Sequence, residues 1–153
     1  MTDQNIEPGT VHDDDPRADL RWPTIPAAVA DVAARLGDRE AIVDPSGGSP
    51  SGGSPEGSTG GTRTWTWAEV ARETDRAAAA FIADGIGRGD RVAIWAPNCA
   101  EWVIALFGLQ SAGAVLVPLN TRYKGAEAAD IIERSGARVL VTVDGFLGNH
   151  YVG

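Results

Sequence analysis

In the front half of the chain, apolar residues recur at helical spacing in some segments and form short continuous runs in others. From Thr24 the apolar positions follow a helical period, and Gly37 predicts that this helix ends in a left-handed residue. Short runs rich in branched and aromatic residues at 41–43 and 63–66 predict two strands. Because these strands follow one another across a polar segment, we expect them to pair with each other.

Capping signals mark the next two helices. Thr66 is followed three residues later by Glu69, which predicts a capping box at the start of a long helix that ends at Gly85. Asn98 and Glu101 have the same spacing and predict a second capped start.

The back half of the chain alternates strands with helices. Apolar runs at 92–96, 115–117 and 138–143 predict strands, of which 115–117 is expected to be buried, and helical patterns at 99–112 and 126–135 lie between them. This order predicts an α/β fold of parallel strands with right-handed helical crossovers.

Two segments lack any such pattern. Residues 1–21 are polar and acidic, and they predict a disordered tail. Residues 45–62 contain two copies of Ser-Gly-Gly-Ser-Pro and predict a flexible loop. The remaining chain, residues 22–153, is expected to form one truncated α/β domain.

Charge and cysteine content narrow the class of protein. The net charge is −8; residues 1–60 hold 11 acidic and 4 basic side chains, and residues 61–153 hold 10 and 9. A nearly neutral domain lacks the basic face that nucleic-acid binding requires. The single cysteine, Cys99, excludes an intrachain disulfide and a cysteine-based zinc site. Without a signal-peptide pattern or an apolar run of about 20 residues, the sequence predicts a cytoplasmic protein with no transmembrane segment.

Glycine-rich stretches that resemble phosphate-binding motifs have the wrong context. Gly85, Gly87 and Gly89 follow a helix and precede a strand, whereas a dinucleotide fingerprint follows a strand and opens a helix, so we interpret them as turn residues. Residues 58–62 are rich in glycine and hydroxyls but lack a lysine and lead into a strand. Neither histidine nor Lys124, the single lysine, is placed for catalysis. We therefore assign no catalytic and no metal-binding residue to this chain.

Cys99 and the tryptophans each admit two interpretations. Cys99 falls in the first turn of a predicted helix, where a thiol pKa can be lowered, but a small residue lining the core is the favoured interpretation. Apart from Trp22, the tryptophans are interpreted as core residues rather than a ligand cage; they are Trp65, Trp67, Trp95 and Trp102.

Four segments of this chain resemble, in their order and spacing, segments of the adenylate-forming (AMP-binding) acyl-CoA synthetases, the fatty-acid–CoA ligases. They are Thr64-Trp-Thr-Trp-x-Glu69, Gly85-Ile-Gly-x-Gly-Asp-Arg-Val-Ala-Ile-x-Ala-x-Asn98-x-x-Glu101, Ala112-Gly-Ala-Val-Leu-Val-Pro-Leu-Asn120-x-Arg122 and Ser135-Gly-Ala-x-Val-Leu-Val141. The closing Phe146-Leu-Gly-x-x-Tyr151 looks most like actinobacterial ligases for fatty acids or steroid side chains.

The resemblance implies that the chain is the N-terminal part of an ATP-dependent acid–CoA ligase. Such enzymes join a carboxylic acid to ATP as an acyl-adenylate, with magnesium offsetting the phosphate charge, and then transfer the acyl group to coenzyme A. The phosphate loop and the catalytic lysine of the family match no residue here, so we expect this chain to be inactive alone and to bind no cofactor. Asn120 and Arg122 are the positions nominated near a substrate.

Two other functions remain open at this stage. The chain can be a non-catalytic module that associates with itself or with a full-length synthetase through an exposed sheet edge. A flavodoxin-like nucleotide binder is a third hypothesis, and nothing in the loops after the strands supports it.

Overall fold

The computed structural model describes residues 21–45, 62–146 and 149–150. The expected tail and flexible loop lie outside these ranges except for their end residues Arg21, Pro45 and Thr62. The elements in chain order are α1 Ile25–Leu36, β1 Glu40–Asp44, β2 Arg63–Thr66, α2 Trp67–Ala83, β3 Arg91–Trp95, α3 Ala100–Ser111, β4 Val115–Pro118, α4 Gly125–Ser135, β5 Val139–Thr142, β6 Gly145–Phe146 and β7 Asn149–His150.

A three-stranded parallel sheet in the order β4-β3-β5 lies at the centre. Val92 of β3 stands opposite Leu116 of β4 and Val139 of β5. The predicted α/β class and the parallel pairing are confirmed. Because β3 joins both neighbours, its residues from Val92 to Trp95 are all buried, as expected of a central strand with helices on both faces.

Alternate residues of β3 belong to different cores. Val92 and Ile94 pack in one cluster with Leu109 of α3, whereas Ala93 and Trp95 pack in another with Ala128 of α4. Since successive side chains of a strand point to opposite faces, α3 and α4 cover opposite faces of the sheet.

The strands β1 and β2 form a separate antiparallel pair, as predicted. Trp65 of β2 is buried and packs with Val70 of α2 and Ile104 of α3, so the hairpin lies against these two helices. The predicted capping box is also confirmed, because the Glu69 N–H donates to Thr66 Oγ1 at 3.2 Å and the Thr66 N–H donates to a Glu69 carboxylate oxygen at 2.8 Å.

The predictions for Gly37 and for residues 115–117 were wrong. Gly37 has φ −40°, a right-handed conformation, and the chain continues directly into the turn before β1. The run 115–117 is not a buried strand: β4 is an edge of the sheet and Val115 is 49% exposed. A sequence run shows that a strand is apolar, but its burial depends on which neighbours the sheet places beside it.

Candidate functional site

A cleft of about 760 Å³ opens where β3 and β4 end. Residues 96–99 and Trp102 form one wall, and residues 118–121 and Tyr123 form the other. The carboxyl ends of parallel strands are where ligands bind in open α/β sheets, since the loops that follow the strands converge there. This cleft is therefore the candidate functional site.

Asn120, one of the two nominated residues, lies in the wall that follows β4. The Trp95 Nε1–H donates to the Asn120 backbone carbonyl at 3.1 Å, and Asn120 Oδ1 accepts from the Arg122 N–H at 2.9 Å. The second bond closes a turn of the kind that Asn side chains favour. The Arg122 side chain is exposed and is not among the lining residues. The structure thus places both residues in one turn, but only Asn120 against the cleft.

The other wall is the beginning of α3. The N-cap residue is Cys99, which makes no side-chain capping bond, so the predicted cap by Asn98 is wrong. Instead the Ala100 N–H donates to a carboxylate oxygen of Asp44 at 2.8 Å, and Asp44 is only 3% exposed. Asn98 lies one position too early for the cap, and sequence spacing gave no indication that β1 would supply the acceptor.

Cys99 is half-buried in this wall. Burial raises the pKa of its thiol; a backbone hydrogen bond with Trp102 opposes this, and the carboxylates of Glu101 and Asp44 add to it. The alternative of a lowered thiol pKa is therefore wrong, because burial and two nearby carboxylates disfavour the thiolate at this helix start.

The tryptophans divide between core and site. Trp65 and Trp95 are buried, as interpreted from the sequence. Trp67 and Trp102 are half-buried, and Trp102 lines the cleft together with Tyr123, which sequence reasoning did not single out. The cleft therefore presents aromatic surface that the helical spacing of Trp102 alone did not reveal.

Among the described residues, no charged side chain lines the cleft. In the described ranges, no group of three or more His, Cys, Asp or Glu side chains is placed to hold a metal ion. The residues present at this cleft thus do not fit the triphosphate of ATP or its magnesium ion, which require cationic or anionic partners respectively. Of the glycine- and hydroxyl-rich stretch 58–62, only Thr62 lies within the described residues.

The Gly-Asp segment before β3 is held by a polar cluster away from the cleft. Asp90 accepts from the Gly87 N–H at 2.9 Å and from Arg138 Nη1 at 2.7 Å. The hydrogen bond from the Arg138 guanidinium lowers the pKa of Asp90 most, and the hydrogen bond from the Gly87 N–H lowers it further. Gly85 and Gly89 have φ +78° and +86°, which confirms that these glycines serve a turn.

A second concave surface lies between α2, α3 and β5. This groove of about 380 Å³ has an apolar floor that includes Phe81, Ile104 and Val141, with the carboxylates of Asp84 and Glu101 among its lining. Through Val141 this groove lies beside β5. Among the described residues, no helix is long and apolar enough to cross a membrane.

Comparison with known proteins identifies relatives of this architecture. The model of the family described as AMP-binding enzyme matches residues 29–151. A 3-[(3aS,4S,7aS)-7a-methyl-1,5-dioxo-octahydro-1H-inden-4-yl]propanoyl:CoA ligase of Mycobacterium tuberculosis is 41% identical over 130 residues, which are 85% of this chain and 22% of that protein. A crotonobetaine/carnitine–CoA ligase of Salmonella paratyphi B is 36% identical over 112 residues, 73% of this chain and 20% of that protein.

Two solved structures share this fold over most of the chain. The Mycobacterium tuberculosis fatty acyl CoA synthetase superposes with a TM-score of 0.63 at 30% identity, covering 74% of this chain and 20% of that chain. The N-terminal subdomain of Klebsiella oxytoca NpsA, in complex with anthranilyl-AMSN, gives 0.65 at 25% identity, covering 82% and 29%. The chain spans about a fifth of the length of the curated relatives it matches. With the family model matching most of its length and these strands and helices in place, the chain belongs to the AMP-binding enzyme family.

Proposed function

We propose that this chain is the N-terminal part of an acid–CoA ligase that activates a fatty or other carboxylic acid. The acid and ATP give an acyl-adenylate and pyrophosphate; coenzyme A then takes the acyl group and releases AMP. The observation that carries the proposal is the family match over residues 29–151 together with CoA ligases at up to 41% identity. A role in fatty-acid metabolism, in the cytoplasm, is part of the same proposal.

The cleft would contribute a wall to substrate binding in that enzyme. Its aromatic side chains, Trp102 and Tyr123, suit an uncharged part of a ligand, and the Asn120 amide offers hydrogen bonds beside them. Arg122, exposed in the same turn, would meet a negatively charged group outside the cleft. This division of roles supports the nomination of Asn120 and Arg122 as substrate-binding residues.

ATP, magnesium and coenzyme A are the groups that the proposed reaction uses. Because the cleft does not fit phosphates or a metal ion, no catalytic step is assigned to residues of this chain. We propose that the 153-residue chain alone does not turn over substrate, since it corresponds to only about a fifth of the two ligases compared above.

A chimaera tests the proposal. The segment of the Mycobacterium tuberculosis relative that aligns with this chain is replaced by residues 22–153, and pyrophosphate release is measured with ATP, magnesium, coenzyme A and that relative's own acid. We expect activity from the chimaera and none from the isolated chain. An inactive, well-folded chimaera would contradict the ligase assignment, and turnover by the isolated chain would contradict its inactivity.

Variants of the chimaera then test the two nominated residues. Asn120→Ala and Arg122→Ala should each raise KM for one substrate with little change in kcat, because they remove binding contacts. Arg134→Ala is the matched control, since Arg134 is an exposed arginine on α4 that pairs only with Asp130 at 3.1 Å among the described residues. If Arg122→Ala behaves like Arg134→Ala, Arg122 has no role in binding.

One region favours a second candidate function. In it the chain is a non-catalytic module that binds a full-length synthetase. Among the described strands, β5 pairs only with β3, Leu140 on it is 39% exposed, and the apolar groove lies beside it. Exposed strand edges next to apolar surface are typical of association sites. Light scattering of the pure chain, alone and with the purified relative, tests this function: a strict monomer in both samples excludes it.

A further inference from the structure

Asp44 is a buried carboxylate that caps a helix far from it in sequence. It ends β1, is 3% exposed, and accepts the Ala100 N–H at 2.8 Å across 56 residues of chain. A buried carboxylate is costly without a partner, and the start of a helix offers both free N–H groups and a positive partial charge. Asp44 therefore supplies to α3 the cap that its own N-cap residue, Cys99, does not provide.

The same contact determines what the neighbouring cleft wall can accept. The start of a helix is otherwise a favourable place for an anionic group of a ligand. Here the Asp44 carboxylate occupies that place through Ala100, the residue next to Cys99, and Glu101 adds a second negative charge in the first turn. An anionic ligand group would meet repulsion at this wall, whereas an uncharged one would not.

We propose that Asp44 is a positioning residue of the cleft: it holds the first turn of α3 in place and makes the Cys99 wall exclude anions, so that an uncharged portion of the ligand occupies it. The part of this inference that concerns a ligand rests on the proposed function. The exclusion of anions is a property of this chain and can be measured on it directly.

Cys99 provides the probe, because it is the single cysteine of the chain and lines the cleft. Iodoacetamide and iodoacetate both alkylate a thiolate, forming a C–S bond with loss of iodide, and they differ mainly in the negative charge of iodoacetate. The ratio of the iodoacetate rate to the iodoacetamide rate cancels the thiolate fraction and the accessibility of Cys99. A purely structural loosening changes both rates together and leaves the ratio unchanged.

The experiment measures this ratio at low ionic strength in the full chain and in N-acetylcysteine amide, an uncharged reference. The chain should show the lower ratio. Asp44→Asn, which keeps an oxygen to accept the Ala100 N–H, should raise the ratio by about two- to fivefold, the effect of one nearby charge in a partly solvated site. Glu40→Gln removes a carboxylate from the exposed end of the same strand and should leave the ratio unchanged.

An unchanged ratio in folded Asp44→Asn would overturn the proposal, as would a wild-type ratio equal to that of the reference thiol. If Asp44→Asn does not fold, Glu101→Gln serves instead: it should restore the ratio only in part, and full restoration would show that Asp44 excludes nothing. An inactive chimaera would refute the ligase function without altering these rates, so the two failures are distinguishable.

Discussion

The contact between α2 and α3 depends on Gly108, and replacing it with alanine should destabilise the chain. Gly108 is buried in the second half of α3, and a Cβ built on it would lie 2.5 Å from the Cβ of Ala77, 3.1 Å from the backbone nitrogen of Ala78 and 3.2 Å from the carbonyl carbon of Ala77. Carbon atoms in contact stand about 3.5–4.0 Å apart, so the two helices would have to separate.

Two effects of Gly108→Ala oppose each other. Alanine in a helix interior is favoured over glycine by about 1 kcal/mol. Overpacking of a well-packed contact costs about 1–3 kcal/mol. The three clashing atoms are two backbone atoms and an alanine Cβ, none of which can rotate away, and this favours the upper end of that range. The expected net loss is about 2 kcal/mol, equivalent to a fall in Tm of about 4–8 °C for a chain of this length.

Urea unfolding followed by tryptophan fluorescence measures the loss. Gly125→Ala is the matched control, because Gly125 begins α4, is exposed, and has nothing within 4 Å of an added Cβ. Adding Ala77→Gly to Gly108→Ala should recover part of the lost stability by removing the 2.5 Å contact, although Ala77→Gly alone should cost about 1 kcal/mol. Equal or greater stability of Gly108→Ala would refute the close approach of the two helices.

Three further predictions concern local features. Thr66→Ala removes the capping-box hydroxyl and should lower the free energy of unfolding by about 1 kcal/mol, measured by urea unfolding, whereas an unchanged midpoint would contradict the cap. Gly136→Ala forces alanine to φ +65° and should cost about 1–2 kcal/mol in the same assay; no loss would mean that the turn relaxes. The pKa of Asp90 is lowered in the folded chain from its ordinary value of 3.8, so its contribution to stability is present above that value and is lost as pH falls through the folded pKa. Thermal unfolding between pH 2 and 6 should therefore show a weaker acid dependence for Asp90→Asn than for wild type, and identical slopes would contradict the pairing of Asp90 with Arg138.

Features that depend on a few neighbouring residues were determined by the sequence alone. The capping box of Thr66 and Glu69 closes within one helical turn, and the turn role of Gly85 follows from its lack of a Cβ. The alternation of strands and helices predicted the parallel sheet, because successive parallel strands need a crossover. The family was also evident from the order and spacing of its segments, and Asn120 was nominated from one of them.

Features that join distant segments were decided by the tertiary structure. The cleft exists because two strand ends lie side by side, which brings Trp102 and Tyr123 together from different elements. Val115 is exposed because β4 is an edge strand, although its sequence has the apolar character of a buried one. The cap of α3 comes from Asp44 across 56 residues, and no local pattern specifies a partner at that separation. Propensity and capping act over about four residues, whereas the packing of β1 against α3 is a property of the whole fold.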